Sequence, residues 1–408
     1  MADLVLEDVA EVVVGGTPKT AEPTYWGGGV VWVTPTDITA LGQPMLTSSE
    51  RRITADGVAK SSARIVPEGS VLVTTRATIG ATAIAGCELA TNQGITALVP
   101  REGIDGRWLY YWVEANRREF TSRGVGNTFP EVSRSKSRKI PITVPPLAEQ
   151  HRIADSVASI DATIDSAATY SRRMRLLGES LRADVFERSD WPRLRVADAM
   201  EVTMGRQRAP QHAVGDWLIP YLRAANVKDG RLVLDNVLVM NFTPAEQATF
   251  ALRPGDVLVT EGCGSLSEIG ASAQWRGESD GPVCFQNTLL RLRAREGTTH
   301  PEFAYQWARW AYERGAFASV ASGTNIFHIG STRAAAMPVP VPPIGEQELL
   351  IAPLTACDAT VQSVERCVVA LRRLRDGALR AVLSGAHDIG RSYDRFFAAP
   401  ASLQEAAA

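Results

Sequence analysis

The stretch Pro145-Pro146-Leu147-Ala148-Glu149-Gln150 occurs twice: Pro342-Pro343-Ile344-Gly345-Glu346-Gln347 lies 197 residues further on. Two adjacent prolines cannot continue a helix and bias the residue before them to extended backbone. The glutamate behind them falls in a first helical turn, where negative charge suits the helix dipole. Each copy therefore predicts an extended lead-in to a helix. Behind the first copy, positions spaced alternately four and three apart are Ile153, Val157, Ile160, Ile164, Ala167, Ser171, Met174, Gly178, Leu181 and Val185. The same register behind the second gives Leu350, Leu354, Cys357, Val361, Val364, Val368, Leu371, Arg375, Ala378 and Val382. This is a coiled-coil seam, interrupted at Ser171, Gly178 and Arg375. Leu177 and Leu374 also correspond. Each predicted helix runs roughly 40 residues, about 60 Å at 1.5 Å per residue. Helices that long are seldom packed inside one globular core.

A chain of 408 residues predicts two or three domains. No run approaches the length of a membrane span. Residues 1–8 are acidic and lack a signal-peptide charge region. The five cysteines, Cys87, Cys263, Cys284, Cys357 and Cys367, are odd in number and form no CxxC, which predicts reduced thiols and a cytoplasmic protein. A net charge of −2 does not suit a nucleic-acid binder that works alone, so positive surface must be local or supplied by a partner. Arg134, Lys136, Arg138 and Lys139 form one local patch. Further arginines lie along both predicted helices, where a solvated face or a partner helix explains them as readily as phosphate.

The repeat extends beyond the helices. Residues 6–12 match 196–202, residues 31–38 resemble 218–227, and residues 66–74 match 252–260. The last pair begins with proline–glycine turns, Pro67-Glu68-Gly69 and Pro254-Gly255-Asp256, each leading to a β-rich run. Thr78-Ile79-Gly80 and Glu268-Ile269-Gly270 follow, then Asn92-Gln93 and Gln286-Asn287. Residues 108–120 and 302–314 carry aromatics at helical spacing, which are expected in the core. Polar glycine loops follow at 124–129 and 321–327. The expected organisation is a globular α/β domain at 1–144, a helix at 145–189, a second domain at 190–341, a second helix at 342–385 and a loose tail at 386–408.

Catalytic constellations are scarce. There is no P-loop, no Gly-x-Ser-x-Gly elbow, and no histidine or cysteine spacing suited to zinc. The base-clamping tetrapeptide and the glycine fingerprint of amino-methyltransferases are missing. Gly27-Gly28-Gly29 reads as a loop. Asp256 and Glu261 invite a metal-nuclease reading, but the turn at Pro254-Gly255 explains Asp256 more simply.

Two diverged domains alternating with two helices, each introduced by Pro-Pro-Leu/Ile-x-Glu-Gln, resemble the specificity subunit of type I restriction-modification systems. The resemblance runs from Leu6 to about Gly385. It implies a mixed α/β fold with two target recognition domains, each reading one half of a bipartite DNA sequence. It also implies that the two helices pack antiparallel as a coiled coil, set the spacing, and bind two modification subunits that methylate adenine with S-adenosylmethionine. Restriction subunits that cleave DNA with ATP can join. No catalytic residue, cofactor or metal is expected in this chain, and ATP, magnesium and the methyl donor belong to the partners.

Base reading needs amide, hydroxyl, guanidinium or carboxylate groups on loops. The candidates are Thr36, Asp37, Arg76, Asn92, Gln93, Asn127 and Thr128 in the first domain, with Arg134 and Lys136. In the second they are Arg223, Asn226, Lys228, Glu261, Ser265, Gln286, Asn287, Thr324 and Asn325. Each could equally serve a turn in its own domain. Pro146, Glu149 and Gln150, with Pro343, Glu346 and Gln347, are the expected partner-binding residues. A type IIB recognition subunit shares this bipartite design. A self-contained methyltransferase or nuclease, and a protein-only scaffold, are the readings from other classes.

Overall fold

The computed structural model describes residues 3–76, 78–124, 132–188 and 190–384. It forms two compact units. One combines the chain up to Ser166 with the chain from Val368 onward, and the other is Ala167–Cys367. Each unit thus contains one globular domain and a segment of each long helix. Those helices are Leu147–Phe186 and Ile344–Leu383. The second continues through Pro353, an interruption that its heptad pattern does not betray.

In the first unit the strand Asp3–Val5 pairs antiparallel with Pro141–Thr143, so the start of the domain meets its end. The main sheet has the order Ala10–Val14, Ile95–Pro100, Val71–Thr74, Thr82–Ala85 and Met45–Leu46. A second sheet orders Arg51–Ile53, Trp26–Val33, Leu89–Thr91 and Ile65–Val66. The helix Gly106–Ala115 supplies Trp108, Leu109, Tyr110, Tyr111, Trp112 and Val113 to the core, as the aromatic spacing predicts. Ile153, Val157, Leu379 and Val382 of the long helices share that core. The predicted turn is present: Gly69 has φ +83°, and the Ser70 N–H donates to the Pro67 carbonyl over 3.3 Å.

The second unit repeats this plan. Arg193–Arg195 pairs with Pro338–Pro340, and a four-stranded sheet runs Met200–Met204, Leu289–Ala294, Val257–Thr260, Ser272–Gln274. A three-stranded sheet places Leu218–Leu222 between Leu238–Asn241 and Cys284–Phe285. Helix Pro301–Glu313 buries Phe303, Tyr305 and Trp307. Asp256 closes its turn by accepting from the Arg253 N–H at 2.7 Å, and it also holds Arg293 through two hydrogen bonds of 2.7 Å.

All positions of the predicted seam are buried or half-buried, including Ser171, Gly178 and Arg375. Leu177 and Leu374, off the seam, are 46% and 61% exposed. Within the second unit the helices are antiparallel, because Arg175 pairs with Glu365 while Arg182 pairs with Asp358.

The glycine run is a correction. Gly27, Gly28 and Gly29 are not a loop but the opening of the strand Trp26–Val33, where the register against Ile53 shifts between Trp26 and Val30. Glycines inside a strand commonly mark such a bulge. The tail at 386–408 lies outside the described residues.

Candidate nucleic-acid interface

The loops between strands are tied together by main-chain hydrogen bonds that recur in both units. The Gly15 N–H donates to the Ile95 carbonyl (3.2 Å), and Gly205 to Leu289 (3.1 Å). Gly16 donates to Thr91 (2.8 Å), and Arg206 to Phe285 (3.1 Å). Asn92 donates to Val33 (2.9 Å), and Gln286 to Leu222 (2.8 Å). Thr75 donates to Gly94 (2.8 Å), and Glu261 to Thr288 (2.9 Å). Val132 donates to Thr75, and Ile329 to Glu261, both over 3.1 Å. These bonds gather the loops at the sheet edge where Val14 faces Thr96 and Thr74 faces Ile95, and likewise where Met204 faces Leu290 and Thr260 faces Leu289. Close approach demands glycine here. A Cβ on Gly15 would stand 2.1 Å from the Asn92 carbonyl oxygen, and one on Gly205 2.2 Å from that of Gln286.

The first domain spends several of its candidates on itself. Asp37 accepts from the Thr34 N–H at 2.7 Å and the Thr34 hydroxyl at 2.6 Å, capping the short helix Pro35–Thr39. Asn92 accepts from the Gly94 N–H at 2.9 Å. Gln93 is exposed and its side-chain oxygen accepts from the Thr17 hydroxyl. Thr36 is exposed beside Asp37, and Arg76 is half-buried behind the strand Val71–Thr74. Arg134 and Lys136 are exposed on the short helix Arg134–Arg138, donating to the carbonyls of Val12 (3.1 Å) and Arg123 (3.4 Å). Asn127 and Thr128 lie outside the described residues.

The second domain separates frame from display more clearly. Asn226 is only 2% exposed, accepts from the Arg223 N–H, and donates to the carbonyls of Val233 and Asn236. Glu261 is 3% exposed, and its carboxylate accepts from the Gly330 N–H at 3.1 Å and contacts His328 Nδ1 at 3.0 Å. The polar atoms of Asn226 and Glu261 are spent inside the domain, while Asp37 is half-buried and spends one carboxylate oxygen on Thr34. Arg223, Ser265, Gln286 and Asn287 are half-buried. Ser265 shares a hydrogen bond with Ser267 at 2.8 Å, and the Asn287 N–H donates to the Arg206 carbonyl at 3.0 Å. Lys228 is exposed and pairs with Glu268 at 3.5 Å. The Cys263 thiol and the Lys228 ammonium hold the Glu268 carboxyl below its ordinary range.

Thr324 and Asn325 stand on an exposed hairpin tip. Ser322 and His328 close it by exchanging two main-chain hydrogen bonds, of 3.0 and 2.8 Å. Gly323 at φ +130° makes the bend. Arg333 ties the base of the hairpin, donating to the Ser322 hydroxyl (2.9 Å) and the His328 carbonyl (2.7 Å). Arg333 escaped the sequence reading, as did the exposed pair Gln207-Arg208 beside the Arg206 bridge. The available signal was positional: Gly205-Arg206-Gln207 occupies the place of Gly15-Gly16-Thr17.

The glutamines of the doubled motif are likewise spent inside the domains. Gln150 donates to the carbonyls of Gly103 (3.0 Å) and Pro145 (2.9 Å) and accepts from the Asp105 N–H (2.8 Å). Gln347 donates to Thr298 (2.9 Å) and Pro342 (2.8 Å) and accepts from the His300 N–H (2.8 Å). Asp105 and His300 are the N-caps of the two domain helices, so each glutamine pins a long helix to its own domain. At 1% and 0% exposure neither is open to a partner. Pro146, Pro343 and Glu346 are exposed and Glu149 is half-buried. Among the described residues, no group of three or more His, Cys, Asp or Glu could hold a metal ion, and no helix is long and apolar enough to cross a membrane.

Residues 2–171 match the family described as type I restriction modification DNA specificity domain. The type I restriction enzyme MjaIX specificity subunit of Methanocaldococcus jannaschii is 29% identical over 55% of this chain and 57% of its own length. The EcoR124I/EcoR124II specificity subunit of Escherichia coli is 25% identical over 40% of this chain and 41% of its own. The chain spans about half the length of these curated relatives. A chain from a solved type I R-M system assembly shares the fold at TM-score 0.61 and 18% identity, covering 94% of this chain and 97% of that one. The type I S subunit from M. genitalium does so at TM-score 0.57 and 13% identity, over 93% and 95%.

Proposed function

We propose that this chain is a specificity subunit of the type I restriction-modification family, to which the matched domain and relatives point, that it reads a bipartite, asymmetric DNA sequence through its two domains, and that it carries no catalytic centre of its own. The observation that supports this most directly is the repeated main-chain framework, which presents different side chains at the same sheet edge in each unit. Two similar but unequal reading surfaces call for two unequal half-sites with an unread gap. Thr36, Gln93, Arg134 and Lys136 are the exposed candidates in the first domain, and Lys228, Thr324 and Asn325 in the second. The long helices set the spacing and dock two modification subunits, using the exposed Pro146, Pro343 and Glu346 rather than the buried glutamines.

This reading places S-adenosylmethionine, ATP and magnesium in partner subunits, the last two with any restriction subunits that join, and the complex in the cytoplasm. With a net charge of −2, the chain alone has little positive surface to neutralise phosphates. Mapping methylated adenines genome-wide with and without the gene tests the function, and the expected result is loss of methylation at one bipartite motif. A gel-shift titration should show weak, salt-sensitive binding that tightens by orders of magnitude when the modification subunit is added. Equal affinity with and without that subunit would contradict the division of labour.

A further inference from the structure

Asp161 and Asp358 lie on different long helices, 197 residues apart, the offset of the repeat. In each unit this aspartate meets three elements at once. Asp161 accepts from the Tyr111 hydroxyl at 3.0 Å, and Asp358 accepts from the Gln306 amide at 2.8 Å. Tyr111 and Gln306 occupy the same place, the sixth residue after the N-caps Asp105 and His300. The opposite helix then contributes an arginine. Arg375 Nε donates to Asp161 at 2.9 Å, and Arg182 donates to Asp358 at 3.3 Å. Each arginine also reaches a glutamate on the domain helix or at its end: Arg375 pairs with Glu114, and Arg182 with Glu313 through two hydrogen bonds.

Apolar contact between a domain and its helices is non-directional and tolerates rotation. A guanidinium–carboxylate pair has a fixed plane and direction. The carboxylate that joins domain helix, near helix and far helix is therefore the feature that resists swivelling. On a duplex, rotation is equivalent to a change of groove phase, roughly a tenth of a turn per base pair.

We infer that Asp161 and Asp358 are positioning residues that fix the rotation of each reading domain on the helix pair, and so decide how strictly the gap between half-sites is enforced. This rests on the recognition function proposed above. The test uses the full chain with its modification subunit and a set of duplexes carrying both half-sites at gaps from two base pairs short to two long. Arg375→Met is expected to lower the preference for the native gap over its neighbours by about tenfold, the order expected for one charge-assisted hydrogen bond. KM for the native duplex should rise while kcat and the bases read stay as they were. Arg375→Lys, which keeps the charge but not the paired geometry, should recover part of the preference. Arg182→Met should act in the same way through the second domain. Should either methionine variant fail to fold, the aspartate variant of the same unit, Asp161→Asn or Asp358→Asn, carries the same expectation. A folded variant with wild-type gap preference, or one that changes the bases read, overturns the inference. Wild-type complex without any sequence preference would instead sink the recognition reading, and the inference with it.

Discussion

One arginine, Arg375, serves the carboxylate of Asp161 in the first unit. In the second, Arg182 and Arg309 both reach Asp358, and the network continues to Glu313 and Asp229. The side chain of Arg375 is 15% exposed, whereas those of Arg182 and Arg309 are 1% and 7% exposed. Burial pushes the Glu313 carboxyl up from its ordinary value despite these partners, a sign of how dry the second cluster is. The outer sheets differ as well. In the first unit Arg51 lies over Trp26 at 3.8 Å and near Trp32 at 5.0 Å. The second unit leaves Leu218 and Val239 exposed on its corresponding sheet. Main-chain features were kept when the repeat diverged, while side-chain clusters were rebuilt with different charges and depths.

The sharpest way to break this comparison is to remove the arginines. Arg182→Met leaves the half-buried Glu313 and Asp358 with Arg309 as their remaining arginine and, at this drier site, should cost about 3–5 kcal/mol, whereas Arg375→Met, at a wetter site, should cost roughly half as much. Urea denaturation of the two variants tests the ranking, and equal losses would erase the distinction drawn between the clusters. The glutamines should instead behave alike. Gln150→Leu and Gln347→Leu each leave an N–H and two carbonyls without their partner, and each should cost about 2–4 kcal/mol. If one were neutral in the same assay, the equivalence of the two pins would fail.

A smaller and more selective effect is expected at the hairpin. Asn325→Ala, and to a lesser degree Thr324→Ala, should relax base preference by about 1–3 kcal/mol in one half-site and leave the other untouched. Methylation of a randomised target library reads this directly, and relaxation of both halves would contradict the separation of the domains. The least effect belongs to the outer sheets. Arg51→Ala should lose about 0.5–1 kcal/mol of cation–π stabilisation, while Val239→Thr should stay within about 0.5 kcal/mol. A larger effect at Val239 in the isolated chain would show that this face is covered.

Much of this architecture is legible in the sequence because it is written locally. The prolines mark where each long helix begins, and the heptad register names positions that prove buried or half-buried even where it is broken by Ser171, Gly178 and Arg375. Proline–glycine turns and aromatic helix faces also depend on neighbours a few residues away. The fate of a polar side chain does not. Gln150 and Gln347 read as surface groups at a helix start, but their partners in the domains lie 45 to 49 residues upstream. Asn226 and Asn325 have the same chemistry and both stand just before a two-residue strand. Only folding shows that the first is enclosed by Val233 and Asn236 while the second has no such cover. Gly27-Gly28-Gly29 misleads for a related reason, since the strand opposite it comes from Arg51–Ile53.

The bonds that gather the candidate loops run from N–H to carbonyl, groups that nearly every amino acid supplies identically. Exchanging a displayed side chain therefore leaves the frame beneath it intact, except at tight spots such as Gly15 and Gly205. A lineage could drift from one target to another through single substitutions at the tips, each intermediate still folded. The vocabulary of the molecule can change while its grammar is inherited.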